Sequence, residues 1–204
     1  MNHSIWRLFK VGGWKLWVLS SQLVLASSAP AQDEGLYCGM GPPPGSVGYE
    51  QHTQAQEHRR RTLGYLLACE GDRRFNHSST AEPLDKAMRR LAFTPISLES
   101  TPFRDFEALG GRPDFSGDAG PTAHHRTFRT PQGHIVDLRE WDMSVGGGQI
   151  SSRADLQTEQ VNGSPAQLTV MQAPSGKAVS FLSWIQGRRS YELTISINVK
   201  TSSP

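Results

Sequence analysis

Apolar and polar positions change their rhythm along this chain, and the change divides it into two parts. From residue 122 onward they tend to alternate with a period of two. Tyr191, Leu193, Ile195 and Ile197 interleave with Glu192, Thr194, Ser196 and Asn198, the pattern of a strand with one buried and one wet face. Val179, Phe181 and Ser183 point one way in the preceding run, and Leu182 and Trp184 the other. Expected strands are 126–130, 134–141, 154–161, 167–172, 178–186 and 190–199. Turn residues separate most of them: Pro131-Gln-Gly133, Asn162-Gly163, Pro174-Ser-Gly176 and Gly187. In 134–141, Val136, Leu138 and Glu140 share a face. Trp141 and Trp184 read as core or sheet-face aromatics.

Before residue 122 the spacing is helical. Ala55, Leu63, Leu66, Leu67 and Ala68 form an apolar stripe that predicts a helix over 49–70, with Glu57, Arg59, Arg60 and Arg61 on its polar side and Gly71 as a stop. Thr80 is a suitable N-cap and Pro83 a first-turn residue for a second helix carrying Leu84, Ala87, Met88 and Leu91. Pro95 ends it. Residues 99–121 are rich in Gly, Pro and Asp and predict a long connection, with one short turn around 103–109 and Phe103, Phe106 and Phe115 packed inward. The expected fold is therefore α+β, with two N-terminal helices packed on a meandering antiparallel sheet of about five to six strands.

The first 31 residues have the order of an export signal. Arg7, Lys10 and Lys15 precede an apolar run from Leu16 to Ala26, and Ala29 and Ala31 make an A-x-A cleavage site. A spanning helix needs about 20 apolar residues. This run is shorter and is interrupted by Ser20, Ser21 and Gln22. The expected organisation is a cleavable signal over 1–31, a flexible Pro/Gly-rich leader over 32–48 and a single domain over 49–204, in a periplasmic or secreted protein with no stable membrane span.

The chain of 204 residues carries a formal charge of +2. Removal of the signal takes away three bases and no acid, so the remainder is close to neutral. That balance argues against a nucleic-acid partner. Cys38 and Cys69 are the two cysteines. In an oxidising compartment such a pair is expected to form a structural disulfide. A metal or redox role has no C-x-x-C or Cys–His spacing to support it.

Candidate chemistry is sparse. His125 and His134 flank an expected hairpin, and Asp137 lies in its second strand, so the three are candidates for a metal or proton relay. Adjacent His124 and His125 must face opposite ways on a strand. Arg59, Arg60 and Arg61, with Arg89 and Arg90, are candidates for docking an acidic partner or an anionic ligand. Arg73 and Arg74 add a further basic pair, and all are interleaved with acids. Gly146-Gly-Gly148 lacks the Lys-Ser/Thr of a phosphate loop and reads as a turn. Asn76-His-Ser78 and Asn162-Gly-Ser164 match the glycosylation sequon. No nucleophile motif is present and no cofactor is implied.

The closing stretch Val179–Ile197, an apolar strand, Trp, a short turn and a Tyr-x-Leu strand, resembles the sheet endings of bacterial exported domains such as lipoprotein-carrier-like folds and the extracytoplasmic regions of anti-sigma regulators. The resemblance covers about twenty residues, is one of hydrophobic pattern, and carries no functional residue across. Together these features lead to an expected non-catalytic envelope protein. It would bind a protein partner or an apolar ligand through its sheet face or the 99–121 loop. The alternatives are an envelope hydrolase using the His/Asp cluster and a structural or oligomer-forming envelope component.

Overall fold

In a computed structural model, residues 41–75, 81–117, 120–150 and 152–201 are described. The expected signal and residues 32–40 of the expected leader lie outside them, as do Cys38, Thr80 and the Asn76 sequon. The fold is dominated by one mixed sheet of eight strands, not the antiparallel sheet of five or six strands under two helices that the sequence suggested. Its order is β1 (Leu66–Leu67), β6 (Ser164–Gln172), β7 (Ala178–Gln186), β8 (Arg189–Ile195), β4 (Ile135–Asp142), β3 (Gly120–Arg129) and β2 (Glu107–Gly117), with β5 (Glu159–Val161) paired to β6. All pairings are antiparallel except that of β1 with β6.

The helical part is smaller than its periodicity suggests. α1 (Tyr49–Leu63) stops at Gly64, which takes a φ of 82° and donates its N–H to the Arg60 carbonyl. Glycine reaches this left-handed conformation at no steric cost, so the helix ends there. Leu66 and Leu67 then become a parallel strand beside Met171 and Gln172, and Leu63 is left in solvent. The apolar stripe expected on one helix is thus split between a helix end and a sheet. α2 is a single short segment, Leu84–Met88, following Pro83. A four-residue helix, α3 (Met143–Gly146), is capped by the Asp142 side chain on the Ser144 N–H.

Much of the expected 99–121 connection is strand. A 3-10 turn over Pro102–Asp105 leads into β2, which pairs with β3 along its length with a bulge at Ala108/Gly110. Its Gly and Pro content suits an edge strand, where Pro113 need not donate outward. The outer edge is further closed by reciprocal backbone hydrogen bonds between Glu82 and Gly111. The expected strand over 154–161 is a 3-10 turn, Ala154–Leu156, and then the three-residue β5. The hairpin turn at 131–133 and the span of β7 are as expected.

The two faces of the sheet differ. One carries Phe128, Arg126 and His124 of β3 beside Val136, Leu138 and Glu140 of β4, and continues to Leu193, Tyr191, Leu182 and Trp184. The segment after α2 covers its β3–β4 part, with Phe103 edge-on to Phe128 at 5.0 Å and Phe93 beside His124 at 5.7 Å. Trp184 and Tyr191 stack across β7 and β8 at 5.1 Å, a contact worth about 0.5–1.5 kcal/mol beyond area burial. The other face has an apolar wall at its β6–β7 end, where Ala68 and Phe75 pack on Met171 and Val179. Beyond that wall it carries Thr194, Glu192, Asp137, Arg139, Thr127, His125 and Arg112.

Candidate functional site

That polar face opens into a cleft of about 530 Å³ lined by Arg73, Arg74, Ala81, Arg112, His125, Thr127, Asp137, Phe181, Glu192 and Thr194. Two rows of the pleat build its floor. Glu192, Arg139, His125 and Arg112 are register partners across β8, β4, β3 and β2, and Thr194, Asp137 and Thr127 form the neighbouring row. Residues on one face of adjacent strands lie about 4.8 Å apart, so positions as distant in sequence as Asp137 and Thr194 become neighbours. Arg73 and Arg74 enter from the 3-10 turn at Arg73–Phe75, which Phe75 anchors in the core.

At the centre, His125 Nδ1 lies 2.6 Å from Asp137 Oδ1, and Thr127 Oγ1 donates to Asp137 Oδ2 at 2.7 Å. The carboxylate thus orients the imidazole. Its Nε2 faces Asp114 Oδ2 at 3.6 Å, and Asp114 in turn accepts from Arg139 Nε at 3.3 Å. The imidazole is bracketed by two carboxylates. A general base would instead present Nε2 to a substrate, so this network favours a fixed polar surface over a proton relay.

Glu192 is different. Desolvation is the main cause of a pKa raised above the ordinary glutamate value, offset in part by the electrostatic influence of Arg139, His125 and Arg74. Arg74 is held by a two-pronged ion pair with Asp72, at 2.9 and 2.6 Å. That pairing holds the Asp72 carboxyl below its ordinary range.

The expected site residues separate. His125 and Asp137 converge, as the hairpin allows. His134 sits at the hairpin turn, where its N–H bonds Thr130. It lies five residues along the strand from Arg139, the register partner of His125, or about 17 Å, so it cannot share a metal or proton with that pair. No group of three or more His, Cys, Asp or Glu able to hold a metal ion occurs among the described residues. The basic clusters are largely spent on local pairs. Arg60 and Arg61 both bind Glu57, at 2.7 and 2.8 Å, Arg89 binds Asp85 at 2.9 Å, and Arg90 binds Glu82. Arg59 has no ion pair on α1. Cys69 follows β1, and its expected partner Cys38 lies outside the described residues, so the pairing remains an expectation.

Arg112, Glu192, Thr127 and Asp114 were not singled out in the sequence as site residues. For Glu192 the signal existed, since alternation already placed it on the wet face. For Arg112 there was none, because its strand reads as a loop.

A second charged cluster lies on the opposite, covered face. Glu140 is fully buried and accepts from Arg189 Nη1 at 2.8 Å, Arg126 Nη2 at 3.3 Å and the Ile96 N–H at 3.1 Å. Burial pushes its pKa up against these donors. His124, also fully buried, makes no hydrogen bond through either ring nitrogen, and its Nε2 is 4.0 Å from Glu140. Burial, reinforced by the charge of Arg126, lowers its pKa to about 3. This cluster has no opening to solvent at His124 or Glu140 and serves the fold.

Comparison with protein-family models, with curated proteins and with solved structures returns no match for this chain.

Proposed function

We propose that this protein is an exported, periplasmic or secreted binding module that takes a small polar ligand in the cleft on its open sheet face. The observation that carries this reading is the concentration of charged and hydroxyl side chains around one 530 Å³ cavity, a volume within the usual range of small-molecule sites. The export-type pattern over residues 1–31 supports the compartment. No helix among the described residues is long and apolar enough to cross a membrane. The lining suits a ligand with polar groups, because eight of its ten side chains are polar or charged beside Phe181 and Ala81. Native mass spectrometry of the purified protein, with backbone NMR shifts recorded against a mixture of small metabolites, tests the proposal. Shifts clustered at Thr127, Asp137, Phe181 and Thr194 are expected. Shifts confined to other surfaces would sink it.

A hydrolase reading retains one specific observation, the 2.6 Å His125–Asp137 contact inside the cleft. It requires that turnover of some ester, amide or glycoside substrate be abolished in Asp137→Asn. Residual wild-type turnover in that variant would remove the reading.

A further inference from the structure

We infer that the ligand of this cleft is a small anion, a carboxylate or a phosphate, gripped between the Arg73 and Arg112 guanidinium groups. The inference rests on the cleft being the ligand site and names the chemistry it selects. Arg74, Arg139 and His125 are committed to Asp72, Asp114 and Asp137. Arg73 and Arg112 line the same cavity, yet neither side chain makes a hydrogen bond or ion pair with any described residue. Two guanidiniums with unspent donors, one on a core-anchored turn and one on the edge strand, form a pair of forks. Such forks match the planar oxygens of carboxylate and the tetrahedral oxygens of phosphate.

The rest of the lining agrees with this division. Asp137 has both oxygens engaged, by His125 and Thr127, so it does not compete for the arginines. Glu192 is the acid in the cleft whose carboxyl takes no hydrogen bond from the described residues. Desolvation raises its pKa, which weakens its repulsion of a bound anion. The side chains that act on it electrostatically are Arg139 and Asp137 of β4, His125 of β3 and Arg74 of the 3-10 turn. Thr127 and Thr194 add hydroxyls suited to a polar ligand body.

The test is isothermal titration calorimetry of the purified protein with glucuronate, glucose 6-phosphate and neutral glucose, on the wild type and on Arg73→Gln, Arg112→Gln and Glu192→Gln. The expected result is binding of at least one anion, at least about tenfold tighter than glucose, and a loss of about tenfold in each arginine variant, the scale of a charge-assisted hydrogen bond. The preference between the first two probes identifies the anion. Glu192→Gln, which removes residual repulsion, should tighten binding about threefold at pH 7. A misfolded protein cannot produce that gain, so it decides the matter if either arginine variant fails to fold, and absence of the gain then overturns the inference. Glucose binding as tightly as the anions, or both arginine variants keeping wild-type affinity, also overturns it. Either result with NMR shifts in the cleft leaves the cleft as a ligand site. No shift in the cleft with any probe or with the metabolite mixture removes both readings.

Discussion

His124 and His125 are consecutive on β3, yet they occupy opposite faces of the sheet and opposite electrostatic environments. His124 is sealed beside Glu140 with no hydrogen bond on its ring, whereas His125 lies in the open cleft against Asp137. The pleat alone separates them, since successive side chains on a strand leave opposite sides. One imidazole is left neutral within a buried charge cluster, and the other becomes the centre of a polar surface.

The buried imidazole should make the protein acid-sensitive. The His124 pKa is about 3 in the fold and about 6.5 in an unfolded chain. Between these values the unfolded chain binds the additional proton. Its contribution to stability is therefore complete above about pH 6.5 and falls as pH drops toward 3, by up to about 1.4 kcal/mol per pH unit. Glu140 acts in the opposite sense. Its raised pKa means that the fold takes up that proton first, which adds stability as pH falls through its folded pKa. His124→Phe, which keeps a ring beside Phe93, should move the acid-unfolding midpoint to lower pH by circular dichroism. An unchanged midpoint would show that another group sets the acid limit.

Removing the carboxylate charge should be costlier than its single hydrogen bonds suggest. Glu140→Gln leaves the buried Arg126 and the half-buried Arg189 without their shared counter-charge. Breaking one side of such a buried pair costs about 3–5 kcal/mol. Urea denaturation at pH 7 measures it. A loss below about 1 kcal/mol would mean that the two guanidiniums reach water when the carboxylate charge is gone.

The edge closure of β2 depends on glycine at position 110. Its φ is 140°, and a Cβ there would stand 2.6 Å from the Glu82 carbonyl oxygen. Gly110→Ala should destabilise the protein by about 1–3 kcal/mol through backbone strain and overpacking. It should also speed hydrogen exchange at the Gly111 and Glu82 amides that form the bridge. Exchange unchanged at both amides would argue that the edge is held by other contacts.

The proposed Cys38–Cys69 disulfide should be visible as a protein two mass units lighter than its reduced form. In the chain-entropy model, a bridge closing about thirty residues is worth about 3–4 kcal/mol. Reduction, or Cys69→Ser, should therefore lower the thermal midpoint by several degrees. Alkylation of both thiols in the native protein without reductant would eliminate the bridge.

The sequence by itself determined the sheet-rich C-terminal half, its turn residues and the division of β8 into a dry and a wet side, because a period of two and glycine-containing turns are local properties. It also placed His125 and Asp137 on a common hairpin. Only the tertiary structure decided the sheet's breadth and the cleft. β2 is a strand because β3 offers it a ladder and an edge tolerates Pro113, which no local propensity announces. Leu66 and Leu67 left the helix because Gly64 ended it and β6 supplied a parallel partner. Arg73, Arg112 and Glu192 line one cleft because strand register and the core-anchored turn at Phe75 bring distant segments to the same face. Glu140 could be buried only once Arg126, Arg189 and the Ile96 N–H were brought around it, and that solvation by distant groups is a property of the folded chain, not of any segment within it.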